Sequence, residues 1–364
     1  MNPIKILTKS HQPLCLIDDY ESLIVQRKFN GYGEFQMKMN RHKNNTEYLE
    51  VGNIIYIARN KAAIIFHKEI SVDDKGKGNE TILVKGYTLD YLFNNRIILP
   101  VEGKEVDEIT GDAETVIKHY IERCLTNPTH SCRKIDWLEI APNLNRGKDI
   151  QWESRYKILS KEIQSICSLA DLGVFIDLDS KNKKWIVDVY EGRDLSVNQS
   201  INPPVIFSHD FDNIKSQKLT LSNKGYKTTG YVGGKGEGNE RQLEIVGDEK
   251  IGIDRIETFI NASNSNNLIL VGEEKLKGLC KTKTLEGQVL KTGPFVYEKD
   301  WNLGDIVTIQ NKDWNVTMDT RITEVKEIYE NGKIGLDIVF GNKIPTLTDK
   351  LDQQLEQMSG EITK

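Results

Sequence analysis

The chain has 364 residues, with 49 Lys and Arg against 54 Asp and Glu, a formal net charge of −5, 38% hydrophobic and 28% charged residues. That length exceeds a single domain, buries a large core without disulfide or metal staples, and has the composition of a folded rather than a disordered chain. The acidic balance argues against a dedicated nucleic-acid binder, which is ordinarily basic. No run approaches the roughly 18 consecutive apolar residues of a membrane span.

The first hundred residues read as strands. Ser22–Phe29 leads through Asn30-Gly31-Tyr32-Gly33 into Phe35-Gln36-Met37-Lys38-Met39, which alternates apolar and polar as a half-buried strand does. Strands are predicted at Asn53–Ala58, Ala62–Val72 and Thr81–Lys85, with Asp73–Asn79 as a polar loop. Helical spacing begins after residue 110. Val116, Ile117, Tyr120, Ile121 and Cys124 share a face, Asp112 is placed to cap it, and Pro128 follows its end. Leu159, Ile163, Ile166 and Ala170 form a second stripe, with Gly173 as its expected C-terminal cap. Val174–Leu178 and Lys184–Tyr190 read as a strand pair. Strand-like segments return at Leu219–Leu221, Lys227–Val232 and throughout 303–341, and 268–280 is ambiguous in pattern, with one helix as an option. In the tail, Leu347, Leu351, Leu355 and Met358 make one apolar stripe on a polar helix.

An internal repeat stands out. Leu49-Glu50-Val51-Gly52-Asn53-Ile54-Ile55-Tyr56-Ile57 and Trp301-Asn302-Leu303-Gly304-Asp305-Ile306-Val307-Thr308-Ile309 share one pattern of apolar, Gly, Asn or Asp and alternating strand. Each is followed by an Asn-Lys pair, Asn60-Lys61 or Asn311-Lys312, then by a strand, a Gly-Lys turn and a closing strand ending at Gly86 or Gly341. A glycine placed so permits a turn of unusual φ, and the strands after it can close a small barrel whose edges are satisfied. Two similar barrels per chain would give three chains in a ring six similar units around one axis.

No catalytic constellation emerges. The five cysteines, Cys15, Cys124, Cys132, Cys167 and Cys280, are odd in number, scattered and free of any CxxC spacing, so they read as free thiols. Cys124, His130 and Cys132 lack the regular spacing and fourth ligand of a zinc site. His11, His42, His67, His119, His130 and His209 form no zinc-protease motif, and GxSxG is absent. Ser208-His209-Asp210 is contiguous, whereas triad members converge from separate segments. Gly234-Lys235-Gly236-Glu237-Gly238 fits neither a P-loop nor GxGxxG and reads as a mobile loop. No catalytic, cofactor-binding or metal residues are therefore assigned. The start, Met1-Asn2-Pro3-Ile4-Lys5-Ile6, lacks the apolar core of a signal peptide, so synthesis and folding in a cytoplasm are expected.

Asp19-Tyr20-Glu21-Ser22-Leu23 followed by Arg27-Lys28-Phe29-Asn30-Gly31-Tyr32-Gly33-Glu34-Phe35 resembles the opening of the tail hub proteins of long-tailed phages and prophage-derived tails. Further matches keep the family's order: Lys85-Gly86-Tyr87-Thr88-Leu89 with Leu92 and Arg96-Ile97-Ile98; Glu191-Gly192-Arg193-Asp194-Leu195-Ser196; Val205-Ile206-Phe207-Ser208 with Phe211-Asp212-Asn213. They continue with the glycine loop at 234–238 and Arg241, Asp254-Arg255-Ile256-Glu257, Leu303-Gly304-Asp305-Ile306-Val307, and Arg321-Ile322-Thr323-Glu324-Val325 ahead of Phe340-Gly341. Leu195 stands where the family often has Arg, and Val25 where Trp is common.

The resemblance implies an α+β, mainly β, multi-domain hub with two similar small β-barrel domains and an inserted α+β domain. The expected division is 1–105 for the first barrel, 106–204 for the α+β domain, 205–345 for the second β-rich domain and 346–364 for a C-terminal helix. Residues 205–250 are assigned either to the second domain or back to the first barrel. The implied role is a non-enzymatic homotrimer at the distal end of the tail. Its pseudo-sixfold ring would join hexameric tail-tube or distal tail proteins to a threefold tip, spike, fibre or lytic module. The tape measure protein is a further implied partner, DNA is met only in transit, and assembly would take place in the bacterial host cytoplasm. Ending soon after Gly341, the chain is expected to carry no lytic domain, and Leu347, Leu351, Leu355 and Met358 become candidates for a trimer or partner contact, the alternative being a helix packed on its own domain. The alternatives are a tail-tip cell-wall hydrolase or peptidase, and a carbohydrate-binding attachment module using aromatics such as Tyr87, Tyr91 and Phe93.

Overall fold

The computed structural model describes residues 3–72, 80–179, 181–236, 238–262, 267–290, 293–330 and 332–341. The expected loop Asp73–Asn79 and the tail stripe Leu347, Leu351, Leu355 and Met358 lie outside the described residues. The chain is mainly β with few helices. It divides into two compact units, one made of residues up to Gln217 with Glu286–Phe340, the other built on Lys218–Leu285.

The first unit starts with seven strands: β1 (Ile4–Leu7), β2 (Pro13–Ile17), β3 (Ser22–Lys28), β4 (Glu34–Asn40), β5 (Ile54–Ala58), β6 (Lys61–Val72) and β7 (Glu80–Thr88). Alternation decides the faces. Phe35, Met37 and Met39 of β4 point into a core shared with Leu23, Val25, Ile55, Ile65 and Val84, while Lys38 stays in solvent. All the strand pairs here are antiparallel, which lets one face carry the core and the other meet water.

Next come β8 (Asp107–Asp112), α1 (Ala113–Ile121), β9 (Leu138–Ile140), β10 (Asp149–Ser154), α2 (Leu159–Ala170), β11 (Gly173–Asp179) and β12 (Lys184–Tyr190). Asp112 caps α1 by accepting from Thr115 N–H at 2.9 Å and Thr115 Oγ1 at 2.6 Å. The helix buries Val116, Ile117, Tyr120 and Ile121, and a π-turn over Glu122–Thr126 then buries Cys124 and Leu125. α2 buries Leu159, Ile163 and Ile166, but it ends on Asp171 in the left-handed region, φ 61°, and not on Gly173. Asp tolerates that conformation through its short polar side chain, which frees Gly173 to open β11.

The chain then forms β13 (Asp194–Leu195), β14 (Ile206–Ser208) and β15 (Ile214–Ser222). The second unit holds β16 (Thr229–Gly233), β17 (Leu243–Gly247), β18 (Glu257–Asn261) and α3 (Leu268–Gly278). Its sheet runs β17-β16-β18, and Val232, Val246 and Ile260 pack with Leu268 of α3. β19 (Thr282–Val289) returns the chain to the first unit, followed by β20 (Ile306–Asn311), β21 (Val316–Glu330) and β22 (Lys333–Gly341).

One continuous sheet runs β15-β19-β22-β21-β3-β4-β7-β6-β5-β1-β2, with β20 pairing β21, β13 and β14 off that path. Two stretches of it have the same strand order. Taken by place in the chain, β3-β4-β7-β6-β5 is first, second, fifth, fourth, third, and so is β15-β19-β22-β21-β20. The hydrogen bonds repeat as well. Gly52 N–H donates to Ile65 O at 2.8 Å and Ile65 N–H to Asn53 O at 2.9 Å; Gly304 N–H donates to Ile322 O at 2.9 Å and Ile322 N–H to Asp305 O at 2.8 Å. Gly52 and Gly304 have φ of 95° and 91°. Immediately after Ile65 and Ile322 each long strand carries a bulge, between Ile65 and His67 and between Ile322 and Glu324.

Two details of the sequence alignment shift. Ile65 faces Gly86 whereas Ile322 faces Phe340, so Phe340 and not Gly341 is the counterpart of Gly86. The Asn-Lys pairs also part company. Asn60 is a turn residue at φ 57°, while Asn311 still belongs to β20 and a longer hairpin turns at Asn315, φ 49°.

Candidate assembly interface

The two similar stretches meet where residues 324–330 of β21 pair antiparallel with β3, from Glu324 opposite Lys28 to Glu330 opposite Ser22. Charged groups are buried at this junction. Lys61 Nζ lies 2.8 Å from Glu327 Oε2 and 2.9 Å from Glu298 Oε1, with the Lys61 and Glu327 residues 5% and 2% exposed. Arg27 donates to Tyr297 OH and to Glu298 Oε1 at 3.2 Å, and its guanidinium lies 3.9 Å from Glu327 Oε1. Tyr329 OH donates to Glu327 Oε2 at 2.5 Å, and Gln26 Nε2 to Glu324 Oε2 at 2.7 Å. Burial works against the Arg27 charge, yet Tyr297, Glu327 and Glu298 outweigh it and push its pKa up. Burial drives the Tyr297 and Tyr329 hydroxyls upward, with Glu327 beside both. A buried ion pair adds little net stability, but it penalises every register that leaves one charge alone.

Next to this junction lies a cavity of about 340 Å³, lined among others by Arg27, Asp90, Tyr190, Arg193 and Asp305. Arg193 clamps Asp305 through its N–H at 2.8 Å and its guanidinium at 2.7 Å. Burial raises the Asp90 carboxyl to about 6 against the hydrogen bond from Thr88.

Within the two similar stretches, two strand edges are left open among the described residues. β15 ends the sheet, with only β19 beside it. Beyond its bulge β6 pairs only β7, because its pairing with β5 stops at Ile64 and the Gly52–Ile65–Asn53 bonds. Ile70 and Val72 on this stretch are 46% and 56% exposed, and Leu221 on β15 is 66% exposed. A four-ring aromatic cluster begins at the bulge. Tyr87 and Tyr91 stack at 4.4 Å, and Tyr32 and Phe66 meet both edge-on. Phe93, grouped with Tyr87 and Tyr91 in the sequence, is buried apart from them.

The other sequence candidates have local roles. Ser208 Oγ accepts from Asp210 N–H, and Asp210 pairs with Lys312 at 3.0 Å, so the tripeptide forms a capped turn. The glycine loop at 234–238, whose Glu237 lies outside the described residues, joins β16 to β17 with Gly236 at φ 98°. Cys124 is buried with its thiol 3.7 Å from Ile97 O and its pKa raised by burial, while Cys132 is exposed. Among the described residues no three His, Cys, Asp or Glu side chains are grouped to hold a metal. Sequence reasoning missed the junction network, since Arg27, Lys61, Glu298 and Glu327 sit in unrelated segments and carry no spacing signal.

Solved structures of similar fold include tail proteins. The chain is 12% identical to the tail protein of Neisseria meningitidis MC58, with a TM-score of 0.58 over 94% of this chain and 96% of that one. It is 12% identical to the 43 kDa tail protein of prophage MuSo2 from Shewanella oneidensis, with a TM-score of 0.59 and coverage of 93% and 98%. Prophage tail protein gp18 of Listeria monocytogenes gives 12% identity, a TM-score of 0.58 and coverage of 98% and 99%. Among curated proteins none matches the sequence. The siphovirus ReqiPepy6 Gp37-like protein family matches residues 3–342, nearly the whole described length. With that match over this β architecture, the chain belongs to the siphovirus ReqiPepy6 Gp37-like family of phage tail proteins.

Proposed function

We propose that this tail protein is a non-enzymatic hub at the distal end of the tail, which trimerises into a pseudo-sixfold ring. The ring would join hexameric tail-tube or distal tail proteins, and the tape measure protein, to a threefold tip, spike, fibre or lytic module. The observation that carries the proposal is the repeated strand order, β3-β4-β7-β6-β5 and β15-β19-β22-β21-β20, with its matched glycine turns and bulges. Two like modules in one chain let three chains offer six near-equivalent contacts, the arrangement needed between sixfold and threefold partners. Both modules are proposed to close as small barrels, with the α+β segment 106–204 set between them and the C-terminal helix 346–364 contributing near the axis through Leu347, Leu351, Leu355 and Met358. DNA would meet the ring only in transit, in particles assembled in the host cytoplasm.

The test is the solution mass of the purified full chain by light scattering. About three times 41.5 kDa is expected. A monomeric mass at every concentration, alone and with the tail-tube protein added, refutes the ring.

A further inference from the structure

The sheet contains its own template for joining modules. Within one chain, the fourth strand of the second module (β21) accepts the first strand of the first module (β3) along residues 324–330. The complementary pair is left open. Among the described residues, the fourth strand of the first module, β6, pairs only β7 beyond its bulge, and the first strand of the second module, β15, ends the sheet. We infer that His67–Val72 of β6 pairs antiparallel with β15 of a second copy of this chain, repeating between subunits the β21–β3 contact made within each. The inference rests on the trimer reading and supplies the contact that reading leaves unspecified.

Three observations support it. First, the bulges set the correspondence: counting on from Ile65 and Ile322, Lys68, Ile70 and Val72 occupy the places of Val325, Glu327 and Tyr329. Those three are buried where β3 covers the strand, whereas Ile70 and Val72, with β7 on one side and an open edge on the other, are exposed. Second, an exposed strand edge is ordinarily blunted by proline, by charged side chains, by a short length or by covering chain. The stretch from His67 to Val72 carries Lys68 and Glu69 near the bulge but has no proline, and it ends in exposed Ile70 and Val72. Third, the two open edges belong to different strands, so each subunit can offer one edge to one neighbour and the other edge to a second. A β6–β15 contact is head-to-tail and closes as a ring or runs on as a filament. Closure at three subunits gives six module junctions, alternately within and between chains. A second copy is favoured over a foreign strand because the protein already displays the partner strand, with matching module identity, on its own surface.

The experiment uses the full chain with Cys132→Ser, which removes the exposed native thiol. Glu69→Cys protein is mixed with chains carrying Lys215→Cys, Leu219→Cys or Leu221→Cys, side chains an even number of residues apart and so on one face of β15. Oxidation is expected to join Glu69→Cys to one of the three in preference to the others. The chain carrying both members of that pair should give a covalent ladder stopping at three. In parallel, Ile70→Lys with Val72→Lys, substitutions at exposed sites, should leave the circular dichroism spectrum unchanged and weaken trimer formation by about tenfold or more. A trimeric mass with no cross-link, and indifferent to the two lysines, overturns the edge pairing while leaving the ring standing. Cross-linking of Glu69→Cys to itself shows a twofold β6–β6 contact and also overturns it. A monomer under all conditions overturns the ring itself.

Discussion

Gly52 and Gly304 occupy the same hydrogen-bonded turn in the two modules, at nearly the same φ, but their surroundings differ. An alanine at either site adopts a backbone that L-residues avoid, at about 1–2 kcal/mol. At Gly52 the new methyl would lie 2.6 Å from Lys9 Cε, the far end of an exposed flexible side chain that moves aside at little cost. At Gly304 it would lie 2.7 Å from two ring carbons of buried Phe29 and 3.0 Å from Tyr190, rings locked edge to face at 5.3 Å. Overpacking of that kind adds about 1–3 kcal/mol. Gly52→Ala should therefore cost about 1–2 kcal/mol and Gly304→Ala about 2–5. Urea unfolding followed by circular dichroism reads both as shifts in midpoint at constant slope. Equal losses would refute the role given to the Phe29 and Tyr190 rings, and losses near zero at both sites would refute the strained turn itself.

Further outcomes follow from the buried charges. Lys61→Met leaves Glu327 without its ammonium and should cost about 3–5 kcal/mol; adding Glu327→Met should return at least half, measured by thermal unfolding, and a double variant less stable than the single one would contradict this. Asp90 has its carboxyl raised by burial to about 6 from 3.8. The unfolded chain then loses that proton first, so stability present near pH 4 falls as the pH rises to about 6, by roughly 3 kcal/mol in all. Asp90→Asn should remove that slope, and a difference between wild type and variant that stays constant from pH 4 to 7 would disprove it.

Local pattern made much of this fold legible. The alternation of Phe35, Met37 and Met39 announced β4, and the run from Ala62 to Val72 marked almost all of β6. Asp112 was legible as a cap because its side chain satisfies a donor only three residues away. Errors arose where a residue's reason is tertiary. Gly173 looks like a helix stop, yet Asp171 takes the left-handed position. Gly86 looked like the partner of Gly341, but Gly86 lacks a side chain because a Cβ there would meet Ile64 O at 1.8 Å, whereas its true counterpart, Phe340, fills core space. The compact unit at Lys218–Leu285 begins and ends inside strands, β15 and β19, so periodicity offered no boundary there. The open edges were invisible for a related reason, since an unpaired strand and a paired one can share the same residues.

The strands that bracket that unit carry a further consequence. β15 leaves at Ser222 and β19 begins at Thr282, and the two are immediate neighbours in the sheet. In the other module the corresponding strands, β3 and β4, are joined by a turn between Lys28 and Glu34. The sheet therefore provides a socket whose two prongs already stand side by side. Cargo of any length whose own ends lie close together can be grafted there, and exchanged, with the loop-closure cost growing only slowly with size.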